Sequence, residues 1–306
     1  MHPCRLFFPR PDALFRRGLR LCGVVLAGMI AGLAASAPAW AAAPEAAFGG
    51  TAGTGADRPL QPLVTGQQSR GWEAVGRLEL GGGGFCTAAL VAPDQVLTAA
   101  HCLFDGTTGR RLPLAGLEFR AGWRNGRAEA LHRIRRGAVH PGYIHGKAAS
   151  VGRVRHDLAL LELDRAIRLP GLVPFGIAPG PRQGEAVAVV SHARERPDMA
   201  SLQEGCHVLA GIDGVVMLSC AVGFGASGAP VFRIGDGLPR ILSVVSARAA
   251  FGTDEVALAA VPHDGLKGLR AGLAADRPVA ARRGRHGMSR FGTGLVPGAD
   301  VRPLRP

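Results

Sequence analysis

The sequence predicts an all-β protein. From Trp72 onward the chain is cut into short apolar or alternating runs, turn residues separate these runs, and long amphipathic helical periods are missing. Such a pattern fits a barrel or sandwich. Leu117, Phe119, Ala121 and Trp123 alternate with polar or small neighbours, which marks a half-buried strand. Residues 91–97 read as one apolar strand, and residues 186–190, 215–218, 241–245 and 256–261 as further strands. Gly235-Asp236-Gly237, between Pro230-Val231-Phe232 and Ile241, predicts a hairpin turn. Arg168-Leu169-Pro170-Gly171 interrupts the strand pattern, which places a boundary between two halves near residues 165–175. Residues 264–273 read as a short closing helix.

At 306 residues, 47% hydrophobic and 19% charged, the chain can bury a large core in one domain or two, and an unfolded polar chain is excluded. The net charge of +13 suggests a nucleic-acid binder until its distribution is read. Residues 1–41 hold five Arg and one Asp, and residues 270–306 hold eight Arg and two Asp, leaving +3 for the body. The basicity sits in the ends, so the composition points away from a nucleic-acid face on the domain.

Residues 1–41 read as an export signal. Arg16, Arg17 and Arg20 precede an apolar run at residues 21–35, and Ala39-Trp40-Ala41 supplies the small residues a signal peptidase accepts. Arg16-Arg17 also fits a twin-arginine signal, so the export route stays open. The apolar run has about fifteen residues, against the roughly 20 that a membrane span needs. Residues 42–71, rich in Ala, Gly and Thr, read as a flexible leader or propeptide. Residues 276–306 are Arg-, Gly- and Pro-rich and read as a disordered basic tail, suited to weak association with acidic cell-surface polymers. Cys4 and Cys22 leave with the signal, so the mature chain keeps Cys86, Cys102, Cys206 and Cys220. An even count in an exported chain favours disulfides over zinc, and the tight Cys-x-x-Cys spacing of a zinc site is absent.

Three fragments carry chemistry: Leu97-Thr98-Ala99-Ala100-His101-Cys102, His156-Asp157-Leu158-Ala159-Leu160-Leu161, and Gly223-Phe224-Gly225-Ala226-Ser227-Gly228-Ala229-Pro230. A serine hydroxyl is a weak nucleophile at neutral pH and needs an adjacent base. An imidazole titrates near neutrality and can accept and return that proton. A carboxylate can fix the tautomer of the ring. The order His, Asp, Ser excludes the subtilisin order and that of α/β-hydrolases. Small residues around Ser227 let the backbone turn tightly and aim N–H groups at one point. Gly81 to Gly84 lacks the Lys and Ser/Thr of a phosphate loop, and the remaining histidines show no metal spacing.

On these fragments residues 72–270 resemble the chymotrypsin-like (trypsin-like) serine proteases, and among them the small bacterial secreted branch related to the glutamyl endopeptidases. The resemblance implies two packed six-stranded antiparallel β-barrels, residues 72–170 and 171–275, with a short C-terminal helix. It implies catalysis by His101, Asp157 and Ser227, and an oxyanion hole from the Gly225 and Ser227 N–H groups. Four cysteines allow three pairings; closeness in sequence and the resemblance favour Cys86 with Cys102 and Cys206 with Cys220. By the same resemblance Ala221 floors the substrate pocket, and Ser246, Ala247 and Arg248 pair with the substrate. Ala226 departs from the Asp that digestive members carry there, and Ala221 and Val245 support neither trypsin-like nor glutamyl specificity. The expectation is an exported serine endopeptidase, periplasmic or extracellular, monomeric, without cofactor or metal, acting on polypeptides and not on nucleic acid. The alternative is a catalytically silent binding or scaffold protein on the same fold.

Overall fold

The computed structural model describes residues 59–146, 150–235, 237–251, 253–275 and 300–303, the last as backbone pairing alone. The expected signal peptide, most of the expected leader, and residues 276–299 and 304–306 of the expected tail lie outside the described residues. Among the described residues no helix is long and apolar enough to cross a membrane.

The chain enters as a short strand β1 (Gln61–Pro62) and a helix α1 (Gly66–Ser69). Thr65 and Gln68 cap α1 reciprocally, each side chain meeting the other's backbone N–H. Residues 61–71 are therefore structured, where the composition suggested a flexible leader. The reason lies in what they dock on. β1 pairs with a strand of the second half, Leu63 is buried, and the Trp72 ring lies 5.0 Å from that of Phe232.

The first half closes into a six-stranded antiparallel barrel: β2 (Val75–Glu79), β3 (Phe85–Ala92), β4 (Gln95–Thr98), β5 (Glu118–Ala121), β6 (Ala130–Val139) and β7 (Ala159–Leu163). A helix α2 (Val151–Arg155) precedes β7. Residues 91–97 are not one strand as the sequence suggested. Pro93-Asp94 turns the chain between β3 and β4, since proline supplies no ladder N–H. Burial in β5 alternates as its pattern predicts, whereas β3 is buried on both faces because its outer face meets the second barrel.

The second half begins with β8 (Gly176–Ile177) and closes a second ring of β9 (Ala186–Ala193), β10 (Arg196–Ile212), β11 (Val215–Leu218), β12 (Pro230–Arg233), β13 (Arg240–Phe251) and β14 (Asp254–Ala260). Asp213 and Gly214 both have positive φ (48° and 77°), the Asp-Gly hairpin turn that joins β10 to β11. Helix α3 (Gly265–Ala274) buries Leu266, Leu269 and Leu273 and packs against β6 and β7. It thus leaves the second barrel to cover the first. Residues 300–303 form β15 on β13, within the segment expected to be disordered. Each large apolar side chain buried in these cores contributes roughly 1.5–3 kcal/mol over leaving it in water.

One core group resists protonation. His192 on β9 is fully buried, and neither ring nitrogen has a hydrogen-bond partner. Burial, reinforced by the Arg77 charge, pushes its pKa down from 6.5 to about 3. The unfolded chain accepts this proton near pH 6.5 while the folded chain refuses it until about pH 3, so stability falls as pH drops through that window. His140, held down to about 4 by burial and then by His156 and Arg155, adds to the same slope. His192→Leu is expected to flatten the acid limb of a stability curve taken by urea titration between about pH 7 and pH 4. An unchanged slope would count against this account.

Candidate active site

The site is built where β4 and β7 of the first barrel meet β13 and the loop before β12. Beyond β4 the backbone tightens into a 3-10 turn at Ala100–Leu103, which carries His101 and is fully buried. Cys102 in this turn is bonded to Cys86 on β3, with Cα atoms 6.2 Å apart. Cys206 is bonded to Cys220, joining β10 to the segment after β11. The four cysteines are therefore paired as the sequence reading favoured, and the sulfurs beside His101 are committed to each other, so they offer no thiolate to a metal.

Asp157 arrives by a different device. Ser150 caps α2 by accepting from the Arg153 N–H, and the Asp157 N–H donates to Val154 O as the helix ends. That ending turns the carboxylate inward, where it is 1% exposed. Its Oδ1 accepts from the His101 backbone N–H at 2.8 Å. Its Oδ2 accepts from His101 Nδ1 at 2.6 Å and from the Ser246 hydroxyl at 2.5 Å. Burial pushes the carboxyl pKa up, but the His101 ring and these three donors outweigh it, and the net displacement is downward. An ionised carboxylate only accepts, so the proton of the neutral ring resides on Nδ1. Nε2, buried and without a hydrogen-bond partner, then holds the lone pair of a base.

Ser246 reaches Asp157 through a register shift. Val245 pairs with Ala259 and Ala247 with Leu258, which leaves Ser246 as the extra residue of a bulge. A bulge re-aims a side chain at the expense of one ladder position, and here it aims the hydroxyl at the carboxylate.

The Ser227 loop is clamped by the first barrel. Gly225 has φ +95°, and a Cβ there would lie 2.6 Å from the Phe85 ring. Gly228 has φ +77°, and its Cβ would lie 2.2 Å from Thr98 Oγ1 and 3.0 Å from Ala99 N. The backbone beside Ser227 is thus seated on the residues that lead into His101. Thr87 N donates to Ser227 O at 2.8 Å, and the Thr87 hydroxyl donates to Gly225 O at 2.9 Å. Thr98 Oγ1 donates to Thr87 O, completing a polar seam between the barrels. Sequence reading missed both threonines. Their signal was two polar residues in otherwise apolar strand runs.

Ala221 N donates to Oε1 of the buried Gln203 at 2.9 Å, so Gln203 fixes that stretch of backbone; it too escaped the sequence reading. Ala247 is buried, while the Arg248 guanidinium lies 5.3 Å from the Phe224 ring and 3.6 Å from Glu255. A cleft of about 380 Å³ is lined by Gly82, Gly84, Phe104, Thr107 and Arg194.

Two interlocked six-stranded barrels with a His–carboxylate pair and a glycine-framed serine at their seam define the class of trypsin-like peptidase domains. A family model of the trypsin-like peptidase domain matches residues 86–238, and the chain belongs to that family. It is 30% identical over 165 residues to serine protease 23 from rat, mouse and human. The match takes in 48% of this chain and 42% of each relative, so the chain spans about two fifths of the length of these relatives. A solved glutamyl endopeptidase structure, in complex with MPD, shares the fold with a TM-score of 0.58. That likeness covers 71% of this chain and 98% of the other at 15% identity.

Thr87→Val leaves Gly225 O and the His192 N–H, which now donates to Thr87 Oγ1, without their buried partner. The expected cost is about 1–3 kcal/mol of stability by urea unfolding, with most of it recovered in Thr87→Ser.

Proposed function

We propose that this chain is an exported serine endopeptidase that cleaves polypeptides through an acyl-enzyme on Ser227. The observation that carries the reading is the geometry of His101, donated through Nδ1 to a buried carboxylate at 2.6 Å with Nε2 left as base. In this reading Nε2 takes the Ser227 hydroxyl proton as Oγ attacks the scissile carbonyl carbon. Asp157 stabilises the imidazolium, and the Gly225 and Ser227 N–H groups hold the oxyanion. His101 then protonates the leaving amine, and water releases the acyl group by the same steps in reverse order of roles.

The acyl side of the substrate pairs with Ser246, Ala247 and Arg248, and its side chain enters a pocket floored by Ala221. No carboxylate stands at that floor to attract Lys or Arg, so the reading favours a small or apolar residue before the cut. The leaving side occupies the cleft beside Phe104 and Thr107. Ala226, fully buried, offers no carboxylate to a newly cut amino terminus, so activity does not depend on that ion pair. Two disulfides and the export signal read in residues 1–41 support action in an oxidising compartment, periplasmic or extracellular. The basic residues 276–306 supply weak attachment to acidic surfaces.

A fluorophosphonate probe is expected to label the wild type and not Ser227→Ala. Asp157→Asn should lower kcat by about 10⁴-fold, because the ring loses its fixed tautomer. Absence of label on the folded wild-type protein would overturn the reading in favour of a silent binding protein on a protease fold.

A further inference from the structure

Strand β13 has two sides, and they are used differently. One side pairs with β14 from Val244 to Phe251. The other pairs with β12 as far as Val244, and with the Ser227 loop at Val245, whose O accepts from Gly228 N and whose N–H donates to Ala229 O. Past Val245 neither β12 nor the Ser227 loop pairs with that side, and it is the edge to which the proposed function assigns the substrate. In the structure this edge is taken by the chain itself. β15 runs antiparallel to it, with Asp300 opposite Ala250, Val301 opposite Ala249, Arg302 opposite Arg248 and Pro303 opposite Ala247.

Three features make this pairing more than a passive strand addition. Its register covers Ala247 and Arg248, two of the three residues assigned to substrate pairing. Its direction carries the chain from Ala250 towards Ala247, and so towards Ser246 and Asp157. Its hydrogen-bonding groups are those an extended polypeptide needs for strand addition, so the two occupants exclude each other.

We infer that Asp300–Pro303 is an intramolecular occupant of the substrate edge, a built-in competitor that an incoming polypeptide has to displace. The inference rests on the endopeptidase reading of the same site. A covalently attached strand competes at an effective concentration on the order of millimolar, enough to raise the KM of an extended substrate without touching the reacting groups. A substrate too small to reach Ala247 escapes this competition.

The test compares the full chain with a variant lacking residues 300–306, and with Val301→Pro/Arg302→Pro. In an antiparallel strand successive N–H groups point to opposite sides, so two adjacent prolines remove one ladder donor whichever residue faces β13. With a long peptide substrate, both variants are expected to show a KM lowered about two- to tenfold, with kcat within about twofold of the full chain. A single-residue ester should show no change. A synthetic peptide of residues 298–306, added in trans, should raise the KM of the truncated variant again. In the absence of substrate, the amides of Ala247 to Ala250 should exchange faster in both variants. Equal KM and equal exchange in proteins that all label at Ser227 would overturn the inference. If none of them labels, the endopeptidase reading has failed, and the exchange comparison alone decides whether the edge is occupied.

Discussion

The buried carboxylate of Asp157 is the constraint around which the junction of the two barrels is arranged. Removing an ionised group from water costs several kcal/mol unless its lone pairs are satisfied. Here three donors satisfy them, two from His101 and one from Ser246, and they come from both barrels. Each donor has a structural precondition. The His101 backbone N–H is presented by the 3-10 turn after β4, and the Ser246 hydroxyl by the bulge in β13. The carboxylate is thus a rigid anchor, and the ring it orients follows from it.

A second seam runs parallel to the first and positions the serine. Apolar surfaces would hold the barrels together but would let them slide, since burial has no direction. Thr87 and Thr98 add direction. Their hydroxyls and backbone fix the carbonyls of Gly225 and Ser227, while the close approach at Gly228 leaves no room for a side chain. Glycine at 225 and 228 serves two needs at once, a positive φ and contact with the neighbouring barrel. The serine and the histidine are therefore placed by strands that lie side by side, although they are separated by more than a hundred positions in sequence.

What was legible in the sequence divides along physical lines. Local signals were readable: alternation in β5, the apolar runs of β11 and β14, the spacing of Leu266, Leu269 and Leu273 in α3. His101 and Ser227 sit in short, distinctive contexts, whereas Asp157, Gly225 and Ser246 were reached through the family resemblance, Ser246 as a substrate-pairing residue and not as the hydroxyl on Asp157. β10 did not stand out. Its seventeen residues bend through three register shifts and mix polar with small residues, so no period survives. The break between β3 and β4 was legible at Pro93-Asp94-Gln95, which does not suit a strand interior, and was passed over in favour of the apolar residues further out. Thr87 and Gln203 escaped because their importance is a matter of partners far away in sequence, Gly225 for one and Ala221 for the other. Residues 61–64 and 300–303 carry no local strand preference and acquire structure from the surfaces they meet, whereas the Thr65-x-x-Gln68 capping box of α1 was a local signal passed over.

β13 takes part in both seams. Within eight residues it receives the Ser227 loop at Val245, supplies the Asp157 partner at Ser246, and carries β15 on its edge from Ala247 onward. A strand paired on one side can bend and twist more readily than one paired on both, and a bulge adds to that freedom. Pairing along that edge therefore completes the ladder next to the bulge that carries Ser246. Whichever extended segment lies there, the chain's own β15 or another polypeptide, restrains the strand that holds the carboxylate's third donor. Pairing along this edge and order in the Asp157 network therefore meet on one strand, at adjacent residues: Ser246 carries the hydroxyl on the carboxylate and Ala247 begins the edge.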